Sequence, residues 1–283
     1  MISDNIYFII VNYEKGNAMD GLKEVLKRVK YILLDMDGTV YLGERLIGEM
    51  DKTLDALRAA GKKLIYLTNN SSKSVENYYD KLKKMNLLKA DDEVKTSGTA
   101  AIGFLKTERK GKTVRLLGTE GLKKEFVDSG INVIENGVAD VSVLAYDTEL
   151  SYVKLCKFTD NLMENSEYIA THPDINCPSE NYPLPDVGAF IELIKASTGR
   201  TPDKIIGKPY ELFGTELMKE YNARPDEFMM VGDRLYTDIA FGVNCGFHTL
   251  FVLSGEGTAD MIADSEKKPE FVLDSLNDIV AYL

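Results

Sequence analysis

Residues Tyr31-Ile-Leu-Leu-Asp-Met-Asp-Gly-Thr-Val40 pass from an apolar run of strand length into two aspartates and a Gly-Thr turn. An unbroken apolar run suits a strand covered on both faces of a parallel sheet, and groups just beyond the carboxyl end of such a strand face a ligand crevice. Asp35 and Asp37 are expected at that mouth, with Met36 pointing elsewhere. Gly38 lets the backbone approach a ligand closely, and the amides after Asp35 can form an anion-binding nest. Asp and Gly are also common in ordinary turns, so this stretch alone leaves a plain strand-to-turn reading equally open.

Composition narrows the classes. With 283 residues, 44% of them hydrophobic, the chain can bury a real core and is long enough for two domains. No apolar run approaches the ~18 residues of a membrane span, and Ile6 to Val11 is too short and wrongly flanked for a signal peptide, so a cytoplasmic protein without membrane partners is expected. Cys156, Cys177 and Cys245 are far apart and form no C-x-x-C, which argues against a disulfide framework or zinc site; they are read as reduced packing residues. A net charge of -11 repels nucleic acid, and the brief basic runs Lys27 to Lys30 and Lys106 to Lys112 read as solvated surface. An acidic protein that binds small anions needs a cation at the site, and clustered carboxylates would recruit one.

Outward from the opening stretch, the pattern alternates. A helix around Met50 to Ala60 closes on Gly61, a strand runs from Leu64 to Thr68, and a helix from about Ser72, placed as N-cap, runs to Met85. A strand at Glu93 to Thr96 and a helix at Thr99 to Lys106 continue this layer. Residues 110–200 read as a separate module, with strands at Thr113 to Leu117, Val133 to Ile134, Val141 to Tyr146 and Tyr168 to Thr171, and helices around Thr119 to Ser129, Tyr152 to Met163 and Val187 to Ala196. The stretch His172 to Gly188 holds four of the eight prolines and little periodicity, as functional loops do. After Thr201-Pro202 the first rhythm resumes: strand Lys204 to Gly207, helix Glu211 to Tyr221, strand Phe228 to Val231, helix Tyr236 to Asn244 and strand Thr249 to Leu253. The expected fold is α/β: a doubly wound Rossmann-like parallel sheet core, residues 19–109 and 201–283, with a smaller α/β cap domain, 110–200, inserted in it and the substrate in the crevice between them. Residues 1–18 form an N-terminal extension, an edge strand or a dispensable segment.

Four strand ends then carry polar groups toward one crevice: Asp35 and Asp37; Thr68-Asn69-Asn70; Lys208; and Gly232-Asp233 with Asp238. Each alone has a bland alternative, a helix-capping turn for Asn-Asn-Ser, a surface lysine for Lys208, a turn for Asp233; their common placement is what chance does not supply.

The order and spelling resemble the haloacid dehalogenase (HAD) superfamily. Leu34-Asp-Met-Asp-Gly-Thr-Val40 matches its first motif, Leu67-Thr-Asn-Asn-Ser71 its second, Gly207-Lys-Pro209 its third and Val231-Gly-Asp-Arg-Leu-Tyr-Thr-Asp238 its fourth. The Asn-Asn-Ser, Gly-Lys-Pro and Gly-Asp-Arg-Leu-x-Thr-Asp spellings, with a long insertion between motifs two and three, are similar to the NagD-type (class IIA, C2-capped) phosphatases. The resemblance runs from about Leu22 to the end. It implies a Mg²⁺-dependent hydrolase of phosphomonoesters, such as sugar phosphates, nucleotides, phosphoglycolate or pyridoxal phosphate, working through an aspartyl phosphate. Asp35 would be the nucleophile, already anionic and in need only of relief from repulsion by the phosphate. Mg²⁺ would take carboxylates of Asp35 and Asp233 and the carbonyl of Asp37, with Asp238 supporting the shell through water. Lys208, Thr68, Asn69 or Asn70 and the amides near Asp37 and Gly38 would hold phosphate oxygens. Asp37 would protonate the leaving oxygen and then activate water.

Of the two histidines, His248 reads as packing, whereas His172 opens the cap loop where the resemblance places substrate selection; His172, Asp174 and Asp186 are taken as candidate substrate contacts. Pro185-Asp-Val-Gly-Ala-Phe190 departs from the Pro-Gly-x-Gly turn of many relatives, so no relative's substrate transfers directly. Ser254-Gly-Glu-Gly257 is only a loop signal, and no P-loop or dinucleotide fingerprint occurs. A phosphomutase, an aspartyl-phosphate signalling receiver, and a phosphate-binding protein with vestigial catalysis are the competing readings; the second aspartate and the cap weigh against the receiver, and the intact polar set against the vestigial one. A homodimer is left open.

Overall fold

A computed structural model describes residues 21–177 and 182–283. The N-terminal extension, including Ile6 to Val11, and the 178–181 part of the cap loop lie outside the described residues. In chain order the elements are α1 (residues 21–28), β1 (Tyr31–Leu34), the antiparallel pair β2 (Tyr41–Leu42) and β3 (Arg45–Leu46), α2 (Met50–Ala59), β4 (Lys63–Thr68), α3 (Val75–Lys84), β5 (Glu93–Thr96) and α4 (Ser97–Glu108). There follow β6 (Thr113–Leu117), α5 (Glu120–Asp128), β7 (Asn132–Val133), β8 (Val141–Leu144), α6 (Tyr152–Met163), β9 (Glu167–Ala170), the antiparallel pair β10 (Asn176–Cys177) and β11 (Leu184–Pro185), α7 (Val187–Thr198), β12 (Lys204–Ile205) and α8 (Leu212–Tyr221). The chain ends with β13 (Phe228–Gly232), α9 (Ala240–Cys245), β14 (His248–Val252), α10 (Met261–Asp264) and β15 (Phe271–Leu273).

Two compact units result. Residues 21–66, 85–93 and 223–283 form the first, and 67–84 with 94–222 the second, the divisions falling inside β4 and β5. A six-stranded sheet has the order β15-β14-β13-β1-β4-β5, with β14 parallel to β15 and β13, and β1 parallel to β13 and β4. The chain therefore winds outward from β1 on one side and from β13 on the other, which makes the gap between these two strands the topological switch point. Ile32, Leu33, Leu34, Met229, Met230 and Val231 are fully buried, as strands covered on both faces require. Tyr31 stacks on Phe228 at 4.7 Å between ring centroids, and Phe228 on Phe247 at 4.8 Å. Helix α2 buries Met50, Thr53, Leu54 and Leu57 at helical spacing and stops where Gly61 turns left-handed at φ 77°.

The second unit holds a five-stranded sheet of order β12-β9-β8-β6-β7, parallel throughout. Leu117, Leu144, Phe158, Leu162, Tyr168, Val187, Ile191 and Ile194 form its core, with Phe158 edge-on to Tyr168 at 5.6 Å. Helix α6 spans the residues its periodicity marks, and Ser151 caps its first turn by accepting from the Lys154 N–H at 3.3 Å.

Several expectations are corrected. Lys204–Ile205 is not the first strand of a resumed core: it pairs with β9 as Lys204↔Ile169 and Ile205↔Ala170, and the second unit continues to residue 222 rather than stopping at 200. Thr201-Pro202 punctuates like a linker, and a two-residue strand carries no periodicity to say which sheet it joins. Helix α3 starts at Val75, not Ser72, because the Asn70 side-chain oxygen Oδ1 accepts from both the N–H and the hydroxyl of Ser72 (2.9 and 2.8 Å), and this local turn delays the helix. The helix expected at Tyr236 to Asn244 is a π-helical turn, Leu235–Ile239, running into α9. Of the three cysteines only Cys245 is buried; Cys156 is exposed and Cys177 half-buried. Among the described residues no helix is long and apolar enough to cross a membrane.

Candidate active site

In the first unit, Asp35 directly follows β1, and its N–H donates to the Val231 carbonyl of the neighbouring β13 at 2.9 Å. Asp233 directly follows β13. The switch point thus carries one carboxylate from each strand, and Asp238 from the π-helical turn completes a group whose carboxylate oxygens lie within 4.8 Å of one another. A π turn admits an extra residue per turn and commonly re-aims a side chain at a functional site. Asp238 packs so tightly on Gly232 that any Cβ there would overlap its carboxylate, and the carboxylate also accepts from the Arg234 N–H at 3.2 Å.

Gly38 has φ 92°, and a Cβ on it would stand 2.6 Å from Cγ of Asp233. Its requirement is therefore double, a left-handed backbone and a bare face toward Asp233. Its amide, expected to face phosphate, donates instead to the Tyr41 carbonyl at 2.8 Å, closing the turn that leads into β2. Asp37 projects into solvent. Its backbone forms an isolated bridge with Tyr41.

The segment Ser254-Gly-Glu-Gly257, dismissed from sequence as a loop, wraps Asp233. The Glu256 N–H donates to Asp233 Oδ2 at 2.7 Å, the Gly257 N–H to the Asp233 carbonyl at 3.0 Å, and the Ser254 hydroxyl to the Gly38 carbonyl at 2.8 Å. The Glu256 carboxylate is paired with Arg234 at 2.9 Å and accepts from the Tyr236 hydroxyl at 2.8 Å. A signal existed: two glycines two apart, just past the end of the apolar run Thr249 to Leu253, mark backbone that must approach something closely.

Asp233 is 1% exposed, and burial, then the nearby Asp238 charge, pushes its carboxyl up to about 6. Three carboxylates brought this close, two of them buried, repel one another unless a cation lies among them. The donor set is all oxygen, which suits a hard divalent ion. Asp35, Asp233 and Asp238 therefore fit a metal of that class.

In the second unit, Thr68 ends β4, and its hydroxyl accepts from the Asn70 N–H at 3.1 Å. Asn69 is 6% exposed and its amide is spent: Oδ1 accepts from the Lys208 N–H at 2.9 Å, while Nδ2 donates to the Lys208 carbonyl at 2.8 Å and to the Asp174 carboxylate at 3.1 and 3.2 Å. The side chain expected at the phosphate is thus bonded to the Lys208 backbone and to Asp174. Asn70 uses its oxygen on Ser72 and lies 3.8 Å from the Cys177 sulfur through its nitrogen, so it too is engaged locally. Lys208 is 1% exposed, with Nζ 3.4 Å from the Leu67 carbonyl.

His172 and Asp186, expected as substrate contacts, are both buried. His172 is fully buried, its Nε2 hydrogen-bonded to Asp186 at 3.0 Å and its Nδ1 to the hydroxyls of Thr171 and Ser97 at 3.1 and 3.3 Å. Asp186, 4% exposed, caps α7 by accepting from the Val187 N–H at 2.7 Å. The pair links the start of the loop to the first turn of α7. Asp174 is only half-buried and is the third member of a cluster with these two. Within the loop, Ile175 and Tyr182 are exposed.

Comparison with known proteins gives a consistent picture. Residues 32–132 match the family model of haloacid dehalogenase-like hydrolases, and 205–279 a second HAD-hydrolase-like model. An acid sugar phosphatase of Staphylococcus aureus is 31% identical over 258 residues, covering 91% of this chain and 99% of that protein. The crystal structure of a 4-nitrophenylphosphatase from Thermotoga maritima superposes with a TM-score of 0.86 at 39% identity, covering 91% of this chain and 98% of the other. A glycerol phosphate phosphatase from Mycobacterium tuberculosis, solved in complex with calcium, gives 0.83 at 25% identity over 90% of this chain and 76% of its own. With its four motifs and an α/β fold shared over nine-tenths of its length, the chain belongs to the haloacid dehalogenase-like hydrolases, in their NagD-type group.

Proposed function

We propose that this hydrolase is a phosphatase that cleaves phosphomonoesters of small metabolites in the cytoplasm, with Asp35 as nucleophile and Asp37 as acid and base. The observation that carries the reading is the grouping of Asp35, Asp233 and Asp238 at the switch point, backed by two glycines, Gly38 and Gly255, that leave no room for any side chain against Asp233. A carboxylate attacks phosphorus without a general base, since it is anionic at neutral pH. An oxygen of Asp35 bonds to phosphorus as the ester P–O bond breaks, and Asp37 gives its proton to the leaving oxygen. Asp37, exposed and next but one in the chain, then takes a proton from water as that water attacks the aspartyl phosphate, releasing phosphate and restoring Asp35. Bound Mg²⁺, held by Asp35, Asp233, Asp238 and the Asp37 carbonyl, would neutralise phosphate charge so that two anions can meet. Lys208 and Thr68 are assigned the phosphate oxygens on their motif positions.

The substrates in the relatives' names, a sugar phosphate, nitrophenyl phosphate and glycerol phosphate, favour a small ester over a macromolecule. The test is a phosphate-release screen with Mg²⁺ over sugar phosphates, nucleotides, phosphoglycolate and pyridoxal phosphate. Release of free phosphate from one class well above the rest is expected. A positional isomer of the substrate in place of free phosphate would mean a mutase, and no turnover of any ester would remove the reading.

A further inference from the structure

We infer that Asn69 is a positioning residue for Lys208, and that Asp174 of the cap loop holds Asn69 in that role. The inference rests on the assignment of Lys208 to the phosphate given above. It goes beyond it by naming what aims the lysine.

One side-chain amide grips both sides of one residue. Oδ1 of Asn69 accepts from the Lys208 N–H at 2.9 Å, and Nδ2 donates to the Lys208 carbonyl at 2.8 Å. This is the pairing that a neighbouring strand would provide, and it fixes the peptide planes before and after the Lys208 Cα. The direction of the Cα–Cβ bond, and so the launch of the lysine side chain, follows from those two planes. Lysine has four rotatable side-chain bonds, so a buried ammonium placed from an unfixed backbone would wander; here only the side chain itself remains to be packed.

Asn69 is itself held from three sides. The Ser97 hydroxyl donates to its backbone carbonyl. The Asp174 carboxylate accepts from Nδ2 through both oxygens, at 3.2 and 3.1 Å, a charge-assisted contact that also fixes which end of the amide is nitrogen. Gly207 supplies the space: a Cβ there would stand 2.6 Å from Oδ1 of Asn69 and 2.7 Å from the Thr171 carbonyl. The glycine of Gly-Lys-Pro is thus required by the clamp. Asp174 in turn is seated by α7, since the Gly188 N–H donates to its carbonyl at 2.8 Å, and the Asp186 N–H to the next carbonyl, of Ile175, at 2.9 Å. A loop residue of the cap and the lysine therefore share one amide as intermediary.

The test is a double-mutant cycle on kcat/KM with an aryl phosphate, comparing Asn69→Ala, Lys208→Met and both together, each checked for folding by thermal melting. If Asn69 acts through Lys208, Asn69→Ala alone lowers kcat/KM about 10- to 100-fold but lowers it less than about twofold when Lys208 is already methionine. Additive losses would mean that Asn69 acts on substrate independently, and would overturn the clamp while leaving the phosphatase reading intact. A Lys208→Met enzyme of normal rate would instead overturn the lysine's assignment itself. Should Asn69→Ala not fold, Asp174 decides: Asp174→Ala should lower kcat/KM about 3- to 10-fold in the Lys208 background only, and Asp174→Asn, whose carbonyl still accepts from Nδ2, should restore it. Equal rates for Asp174→Ala and wild type, or equal losses for Ala and Asn, would overturn the coupling to the loop.

Discussion

A Cβ on Gly255 would stand 2.5 Å from Cγ of Asp233 and closer still to its Oδ2, although the two residues are separated by an entire helix and strand. Nothing but glycine leaves the Asp233 carboxylate where the Glu256 N–H meets it at 2.7 Å. Gly255→Ala should therefore rotate or push Asp233 away from Asp35 and Asp238 without touching either. Residues that orient metal ligands typically contribute about 10- to 100-fold to metal affinity, and a loss in that range is expected for divalent-ion binding measured by titration calorimetry. Unchanged affinity in a folded Gly255→Ala protein would show that Asp233 is not part of the ion's site.

Asp35→Asn keeps the shape of the side chain and its N–H bond to the Val231 carbonyl, which is a backbone contact, but removes the nucleophile. Turnover should fall by about a thousandfold or more while the melting temperature stays near that of wild type. Asp37→Asn should also slow turnover severely, yet with a good leaving group it should still form the aspartyl phosphate and give a burst of alcohol or phenol followed by slow phosphate release. Rapid-quench measurement of both products separates the two roles; near-normal phosphate release by Asp35→Asn would end the covalent mechanism.

What could be read from sequence follows a physical line. β1 and β13 were legible because an apolar run ending on carboxylates is a local pattern, and α6 because its residues keep the helical period. β15, three residues long, and the β2–β3 hairpin carry too few residues for a period to register. The partners of the Asn69 and His172 side chains are not legible for another reason. Sequence gives a polar residue at a strand end but not whether its donors are already taken, and here the Lys208 backbone, Asp174 and Asp186 take them.

Acid should reveal one junction of the five-stranded sheet. Asp140 accepts from the Thr113 N–H and hydroxyl, both at 2.9 Å, and pairs with Lys112 at 3.1 Å, which together hold its carboxyl down at about 2. A carboxyl whose folded value lies below its unfolded value, about 3.9, stabilises the fold above that unfolded value and loses the contribution as pH falls toward the folded one. Wild type should thus be more stable than Asp140→Asn at pH 5 to 7, with the difference closing between about pH 4 and pH 2. Urea melts of both proteins across that range check it. A gap that does not vary with pH would mean that the charge of Asp140 is not what links it to Thr113.

His172 and Asp186 invite a specificity experiment, because they bracket the cap loop, but their burial predicts a stability effect in its place. His172 is 0% exposed, and both of its ring nitrogens have partners within the second unit. Removing the ring leaves a cavity, takes from the Asp186 carboxylate its imidazole partner, and uncouples the start of the loop from the N-terminus of α7. A cavity plus a buried group short of a partner amounts to on the order of 2–4 kcal/mol. Asp186→Ala removes the helix cap as well, and a loss of similar size, about 2–4 kcal/mol, is expected. In a chain of this length such losses lower the melting temperature by roughly 3–7 °C. The ratios of kcat/KM among sugar, nucleotide and aryl phosphates should meanwhile stay within about twofold of wild type, since neither side chain reaches a surface a substrate could touch. Replacing the exposed Ile175 or Tyr182 by alanine is the matched control, with ratios expected to shift and melting unchanged. If His172→Ala instead melts like wild type and reorders substrate preference, the ring is a substrate contact after all, and the loop must open far enough during turnover to expose it.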